Sequence, residues 1–288
     1  MSYLKRAIVS DPTTVAAQAE VTNVTPGATD YGLVVRLVPE DFYFRVAAGT
    51  ITGMSAVNKF GMNMDVDTAT VPEDIWSRGG VWVKPTQARQ HAIVSTDAKD
   101  DSAGTGARTV RIYGLTAWTT AQTSEDVTMD GTTPVNTSGS YVIIHRMQCL
   151  TFGTDGTNAG TITATAATDA TVTAEIAIGK GQTLMAIYGI PSTQTAYMTG
   201  YYISVNRSAV AVTADMDLLV NEAPNAATGG FVVKHDLGLN TVGSSYLPHQ
   251  FNPPLKISGP AIIKLSAANV SANDTNISAG FDLVLVTN

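Results

Sequence analysis

Hydrophobic residues along this chain recur mostly at every second position, in short stretches separated by glycine, proline and Asx turns. The stretch from Gly104 to Thr165 shows it best. Alternation over Ala107–Tyr113 places Ala107, Thr109, Arg111 and Tyr113 on one face and Arg108, Val110 and Ile112 on the other, and Gly114 breaks the run. Ser124–Met129 follows, with a turn at Asp130-Gly131. Ser140–Leu150 runs long and apolar, as a central strand does, and Asp155-Gly156 turns again before Gly160–Ala164. No helical period competes, so the pattern predicts an antiparallel meander.

The C-terminal third continues in kind. Strands are predicted at Thr171–Ile178, Thr183–Ile187, Ala196–Asn206, Met216–Glu222, Gly230–Asp236, Ala261–Ala267 and Gly280–Val286. Pro253-Pro254 imposes an extended approach to the penultimate strands. Many short strands with Gly, Pro and Asn turns predict an all-β fold, an antiparallel β-sandwich of jelly-roll-like type with an extended N-terminal arm. No strict internal repeat is visible, which argues against a propeller or β-helix.

Residues 1–30 read as the arm, with a short helix starting at Asp11-Pro12, continued by Val15 to Val21 and ended by Asn23–Gly27. Strands are expected at Tyr31–Val38, Phe42–Val46 and Thr50–Thr52, a loop at Gly61–Thr68, and strands at Val81–Lys84 and Gln90–Thr96. Asp97–Gly104 reads as an exposed acidic loop. A weak boundary near Ala167 divides a first β region, 31–166, from a second, 167–288; the length of 288 residues suits one continuous domain or two.

Composition narrows the function classes. Hydrophobic residues make up 44% of the chain, enough for a large core, while charged residues are only 14%, so Thr, Ser, Asn and Ala must cover much of the surface. Such a surface repels copies of itself weakly, which suits a self-associating subunit. The net charge of −7 and the scattered basic residues argue against a nucleic-acid partner. No segment has the roughly 20 apolar residues that span a bilayer, and Met1–Val9 lacks the apolar run of a signal peptide, so no membrane partner is expected and synthesis in a cytoplasm is. The single cysteine, Cys149, lies in an apolar strand and is expected to be a buried spectator.

Catalytic chemistry finds little support. His91, His145, His235 and His249 do not pair at metal-ligand spacing. Gly179-Lys180-Gly181 lacks the upstream glycine and the following hydroxyl of a phosphate loop. Asp65 with Asp67, and Asp97 with Asp100 and Asp101, could each share a cation, yet neither fits an EF-hand. Glu125-Asp126 and Asp215/Asp217 are the carboxylates a glycosidase would need, with no spacing to set their separation. Trp118, Tyr197 and Tyr201 are the candidate interface or glycan-contacting residues, with Trp76, Trp82 and Tyr202 as further aromatics; core anchoring is the commoner use of such side chains. No cofactor, metal or catalytic residue is assigned.

Six segments carry a resemblance. Gly61–Thr68 with Glu73–Trp76, Ala103–Leu115, Val127–Val135, Gly156–Ile162, Gln182–Tyr188 and Ser278–Leu285 resemble a family of tailed-bacteriophage virion structural proteins, over roughly residues 55 to 288. The resemblance lies in strands and turns and leaves the N-terminal arm outside. It implies a non-enzymatic particle component, assembled in the bacterial cytoplasm and found in the virion. Its expected partners are copies of itself, a trimer being the commonest closed arrangement for such sandwiches, and the major capsid protein or tail proteins. Decoration of the capsid surface is the first expectation, and a tail component or a fibre binding host-surface glycan the second.

Overall fold

The computed structural model describes residues 5–8, 18–21, 41–206 and 211–288. They fall into two compact units, Met1–Thr52 and Gly53–Asn288. In the first, β1 (Lys5–Ile8) and β2 (Gln18–Val21) pair antiparallel, with Lys5 opposite Val21. The helix expected to continue through Val21 is therefore strand at its C-terminal end. Helix α1 (Phe42–Ala47) stands where a strand was expected. Asp41 supplies the reason: its carboxylate accepts from Tyr43 N at 3.0 Å and caps the first turn. The strand expected at Tyr31–Val38 and the helix start at Asp11-Pro12 lie outside the described residues.

The second unit is all-β and antiparallel; strands make up 55% of the structure and helix almost none. Its first half holds β3 (Met54–Val66), β4 (Glu73–Asp74), β5 (His91–Ser95), β6 (Ala107–Leu115), β7 (Thr123–Thr128), β8 (Val135–Asn136), β9 (Ile143–Phe152), β10 (Ile162–Ala166) and β11 (Val172–Ile176). Its second half holds β12 (Ile187–Ile190), β13 (Gln194–Asn206), β14 (Thr213–Asn221), β15 (Val232–Asn240), β16 (Tyr246–Ser258), β17 (Ala261–Val270) and β18 (Thr275–Thr287). The sheets run β16-β13-β18-β3, β12-β17-β14-β15 with β4 beside β17, β11-β10-β5-β8, and β7-β6-β9. The four sheets are set like the blades of a four-bladed propeller, an arrangement the sequence argued against, while the strand order within β16-β13-β18-β3 and β12-β17-β14-β15 follows no propeller meander. No repeat announced this, because the sheets are not equivalent meanders: β3 from the start of the unit closes a sheet whose other strands come from its end.

Two apolar cores hold the unit together. The first lies between β16-β13-β18-β3 and β12-β17-β14-β15 and includes Met198, Tyr201, Leu218, Leu265 and Phe281. The second draws Ile93, Ile112, Met147 and Ile162 from the other two sheets, and reaches Ile187 and Ile262 on β12 and β17. Each fully buried Ile, Leu or Phe contributes about 1.5–3 kcal/mol, so both cores are substantial. A β-bulge in β6 between Ala107 and Val110 explains why Ala107 and Val110 are both buried despite opposite parity.

Several elements depart from expectation. Residues 61–66 are strand, since Gly61 and Asn63 face a packed seam and break the hydrophobic alternation without breaking the ladder. Val81–Lys84 is not strand, although Trp82 is buried between exposed Val81 and Val83. The boundary near Ala167 falls in the turn of the β10–β11 hairpin, within one sheet. Asp97–Gly104 is not simply an exposed acidic loop, because Asp100 is fully buried.

Candidate functional site

The most structured surface of the second unit is the outer face of β16-β13-β18-β3. Cross-strand register orders it into rows. Lys256, Tyr197, Val284 and Ala56 form one; Gln250, Gly200, Asp282 and Asn58 the next; then Pro248, Tyr202, Gly280 and Phe60; then Tyr246, Ser204, Ser278 and Met62. A polar row is thus flanked on either side by a row bearing a tyrosine.

Gly280 shapes the centre. A Cβ on it would lie 2.7 Å from Tyr202 Oη and 2.8 Å from Cε1, so the Tyr202 ring lies down across the sheet over the glycine. The Tyr246 ring sits 6.1 Å from that of Tyr202, tilted by 40°. In the polar row Asn58 Nδ2 donates to Asp282 Oδ1 at 2.6 Å, and the Gln250 amide lies over Gly200. Asn58, Asp282 and Gln250 are all exposed, so their remaining donors and acceptors face solvent. Burial first, then the Asp282 carboxylate and Tyr246, pushes the Tyr202 phenol above its ordinary pKa, keeping it a neutral donor.

The three aromatics singled out from sequence are scattered. Tyr197 is half-buried on this face. Tyr201 points the other way, 2% exposed in the first core, where its Oη lies 2.7 Å from His235 Nδ1. Trp118 is 9% exposed in the second core. The expectation of exposed contacts at Tyr201 and Trp118 is corrected: strand parity puts Tyr202, not Tyr201, outward, and Trp118 anchors the packing. Sequence also missed that β15 and β16 bring the His235 and His249 rings to 4.2 Å, against Tyr201 and Phe251.

The acidic groups sort by what they bind. Asp65 and Asp67 are joined by Asp274, with oxygens within 4.8 Å of one another, the only such group of three among the described residues. Repulsion from Asp67, the largest cause, raises the Asp65 pKa. Such a cluster can take a divalent cation, and nothing beyond the carboxylates themselves points to one. Asp100 is instead saturated: Ser95 Oγ (2.6 Å), Ala107 N (2.7 Å), Ala159 N and Gly160 N (both 2.8 Å) donate to it, so it organises the loop and does not share a cation with Asp97 and Asp101. Glu125 accepts from Ser138 N and Gly139 N, and Asp126 pairs with Arg111. Asp217 faces Asp236 across β14 and β15, its pKa raised by burial and then by Asp236. Of the carboxylates a glycosidase would need, Glu125 thus holds a turn, Asp126 an ion pair, and Asp217 lies opposite Asp236 while Asp215 lies opposite Gly238.

Two buried bases lie at the seam between the cores. Lys59 Nζ donates to the His145 carbonyl, and burial, reinforced by Arg146, lowers its pKa to about 7. Burial, with Lys59 and Arg146, holds His145 well below its ordinary value; its Nε2 lies 2.7 Å from Gln122 Oε1 and its ring lies 4.5 Å from that of Tyr188, tilted by 33°. Both are almost wholly enclosed, 6% and 2% exposed, and so are packing groups. Cys149 is buried, with its thiol pushed up to about 12, an unreactive state.

Comparison with protein-family models, curated proteins and solved structures gives no match.

Proposed function

We propose that this chain is a non-enzymatic virion structural protein of a tailed bacteriophage, a self-associating subunit that docks on the capsid surface. The observation that carries the reading is strand order. Numbering β3 and β12 to β18 one to eight in chain order, the two facing sheets read 1-8-3-6 and 2-7-4-5. Every consecutive pair but the fourth and fifth crosses between sheets, and the last strand lies beside the first; this order supports reading the two sheets as a jelly roll, a fold of viral capsid and lectin domains. Strands β4 to β11 then form an insertion between its first and second strands. Fold alone does not assign function; the sequence resemblance and the low charge support the same reading.

In this proposal the copies meet through side-chain faces. The edge strands β15 and β16 expose Val232, Val233 and Tyr246, while Pro248, Pro253 and Pro254 remove donors from the β16 edge and discourage open-ended strand pairing. The N-terminal unit attaches to the shell through α1, which exposes Phe42, Tyr43 and Phe44 at 46%, 53% and 66%. Light scattering on the purified protein and quantitative mass spectrometry of intact particles test this. A homo-oligomer present at shell-scale copy number is expected; a stable monomer that never binds particles would overturn the proposal, and a copy number matching the tail would move the subunit there.

A further inference from the structure

We propose that the outer face of β16-β13-β18-β3 binds a neutral oligosaccharide, with the Tyr202 ring as its stacking platform. A pyranose presents an apolar face of axial C–H groups and a rim of hydroxyls. The first is attracted to the negative face of an aromatic ring, and the second requires closely spaced donors and acceptors. Tyr202 is held flat against the sheet because Gly280 leaves room beneath it, so the ring offers a broad face where an upright tyrosine would offer an edge. The adjoining row supplies the rim contacts: the coupled Asn58 amide and Asp282 carboxylate present a donor and an acceptor side by side, and Gln250 adds a second amide.

Charge and size restrict the ligand further. The rows hold one acid, Asp282, and one base, Lys256, with no cluster of cations to receive a sulfate, phosphate or uronate. Four residues of β18 separate the tyrosine-bearing rows of Tyr197 and Tyr202, roughly 13 Å at strand rise, too far for one sugar ring to reach both. The occupant is therefore an extended neutral glycan chain lying along the strands. A second copy of the protein is the less suitable occupant, since burying Asp282 against a like face would set two carboxylates together.

The test uses the purified full chain on an array of neutral hexose and N-acetylhexosamine oligosaccharides, followed by calorimetry with the best trisaccharide and its monosaccharide. Saturable binding is expected, at least tenfold weaker for Tyr202→Ala and for Asp282→Ala, and at least tenfold weaker for the monosaccharide. Tyr113→Ala, on the separate β7-β6-β9 sheet, should bind as the parent does. Far-ultraviolet circular dichroism and thermal melts establish that the variants are folded, and Tyr202→Phe, which keeps the platform, should retain most of the affinity. A flat array, equal binding by Tyr202→Ala, or a Tyr202→Ala variant that changes the oligomeric mass without changing glycan binding each overturns the inference. The inference does not depend on particle attachment, so failure here leaves the virion proposal standing and the reverse also holds.

Discussion

The Lys264 ammonium lies 2.7 Å from the Asp74 carboxylate, with side chains 6% and 1% exposed, and ties β17 to the start of the insertion. Burial raises the Asp74 pKa even though Lys264 opposes it, and the Trp82 amide and a Phe231 ring 4.3 Å from Lys264 complete the setting. Removing one partner strands the other. Lys264→Met is expected to lower the unfolding free energy by about 3–5 kcal/mol in urea denaturation. A loss below about 1 kcal/mol would mean that water reaches Asp74.

Asp100 holds four donors from three parts of the chain, and three of them are backbone amides. Asp100→Ala should cost about 3 kcal/mol or more, a fall of roughly 10 °C in Tm by calorimetry. Asp101→Ala, whose carboxylate caps only its own turn, should cost less than about 1 kcal/mol.

Lys59 gives the opposite sign. Its pKa is about 7 when folded against an ordinary 10.5, so the folded state resists the charged form. That penalty is complete below pH 7 and disappears as pH rises toward 10.5, where the unfolded chain also loses its proton. Lys59→Met should therefore stabilise the protein by about 1–4 kcal/mol at pH 6, with a shrinking gain by pH 9. Equal effects at both pH values would show that the amine is solvated.

Histidine burial sets the acid limit. Burial holds His91 at about 4, despite an Arg89 carbonyl 3.0 Å from Nδ1, and holds His145 lower than its ordinary value as well. Groups depressed when folded take up protons on unfolding, so stability is full above pH 6.5 and is lost as pH falls toward 4. For His91 alone the loss approaches about 3 kcal/mol. Denaturation curves at pH 7 and 4.5 should separate accordingly, and His91→Gln should narrow the gap.

Much of the fold follows from alternation, and what escaped has physical causes. The strands β6, β9, β13, β14 and β17 are long, apolar and bounded by turns, so their sequence carries them. Strand β16 was missed because three prolines and a burial pattern exposed along most of its length hide the period. Helix α1 was misread because three aromatics favour strand locally, whereas a single capping carboxylate decided the backbone. The face around Tyr202 was half legible. The tyrosine cluster stood out, but its outward member depends on register across a bulge between Met198 and Gly200, and the partners Asn58 and Asp282 are 224 positions apart. The carboxylate role of Asp100 was hidden, because its donors at Ala159 and Gly160 lie 59 and 60 positions further along the chain.

The pairing of β3 with β18 means that the first long strand of the unit to leave the ribosome waits for β18, its one neighbour in the sheet, while β18 already has β13 to pair with. Loop closure across most of the unit makes this step slow, and until it happens β3 presents an unpaired edge bearing Phe60, Met62 and Met64. Nascent chains stalled before Thr275 should accordingly be the form that chaperones hold and proteases cut, while release of the final thirteen-residue strand makes the unit resistant in one step.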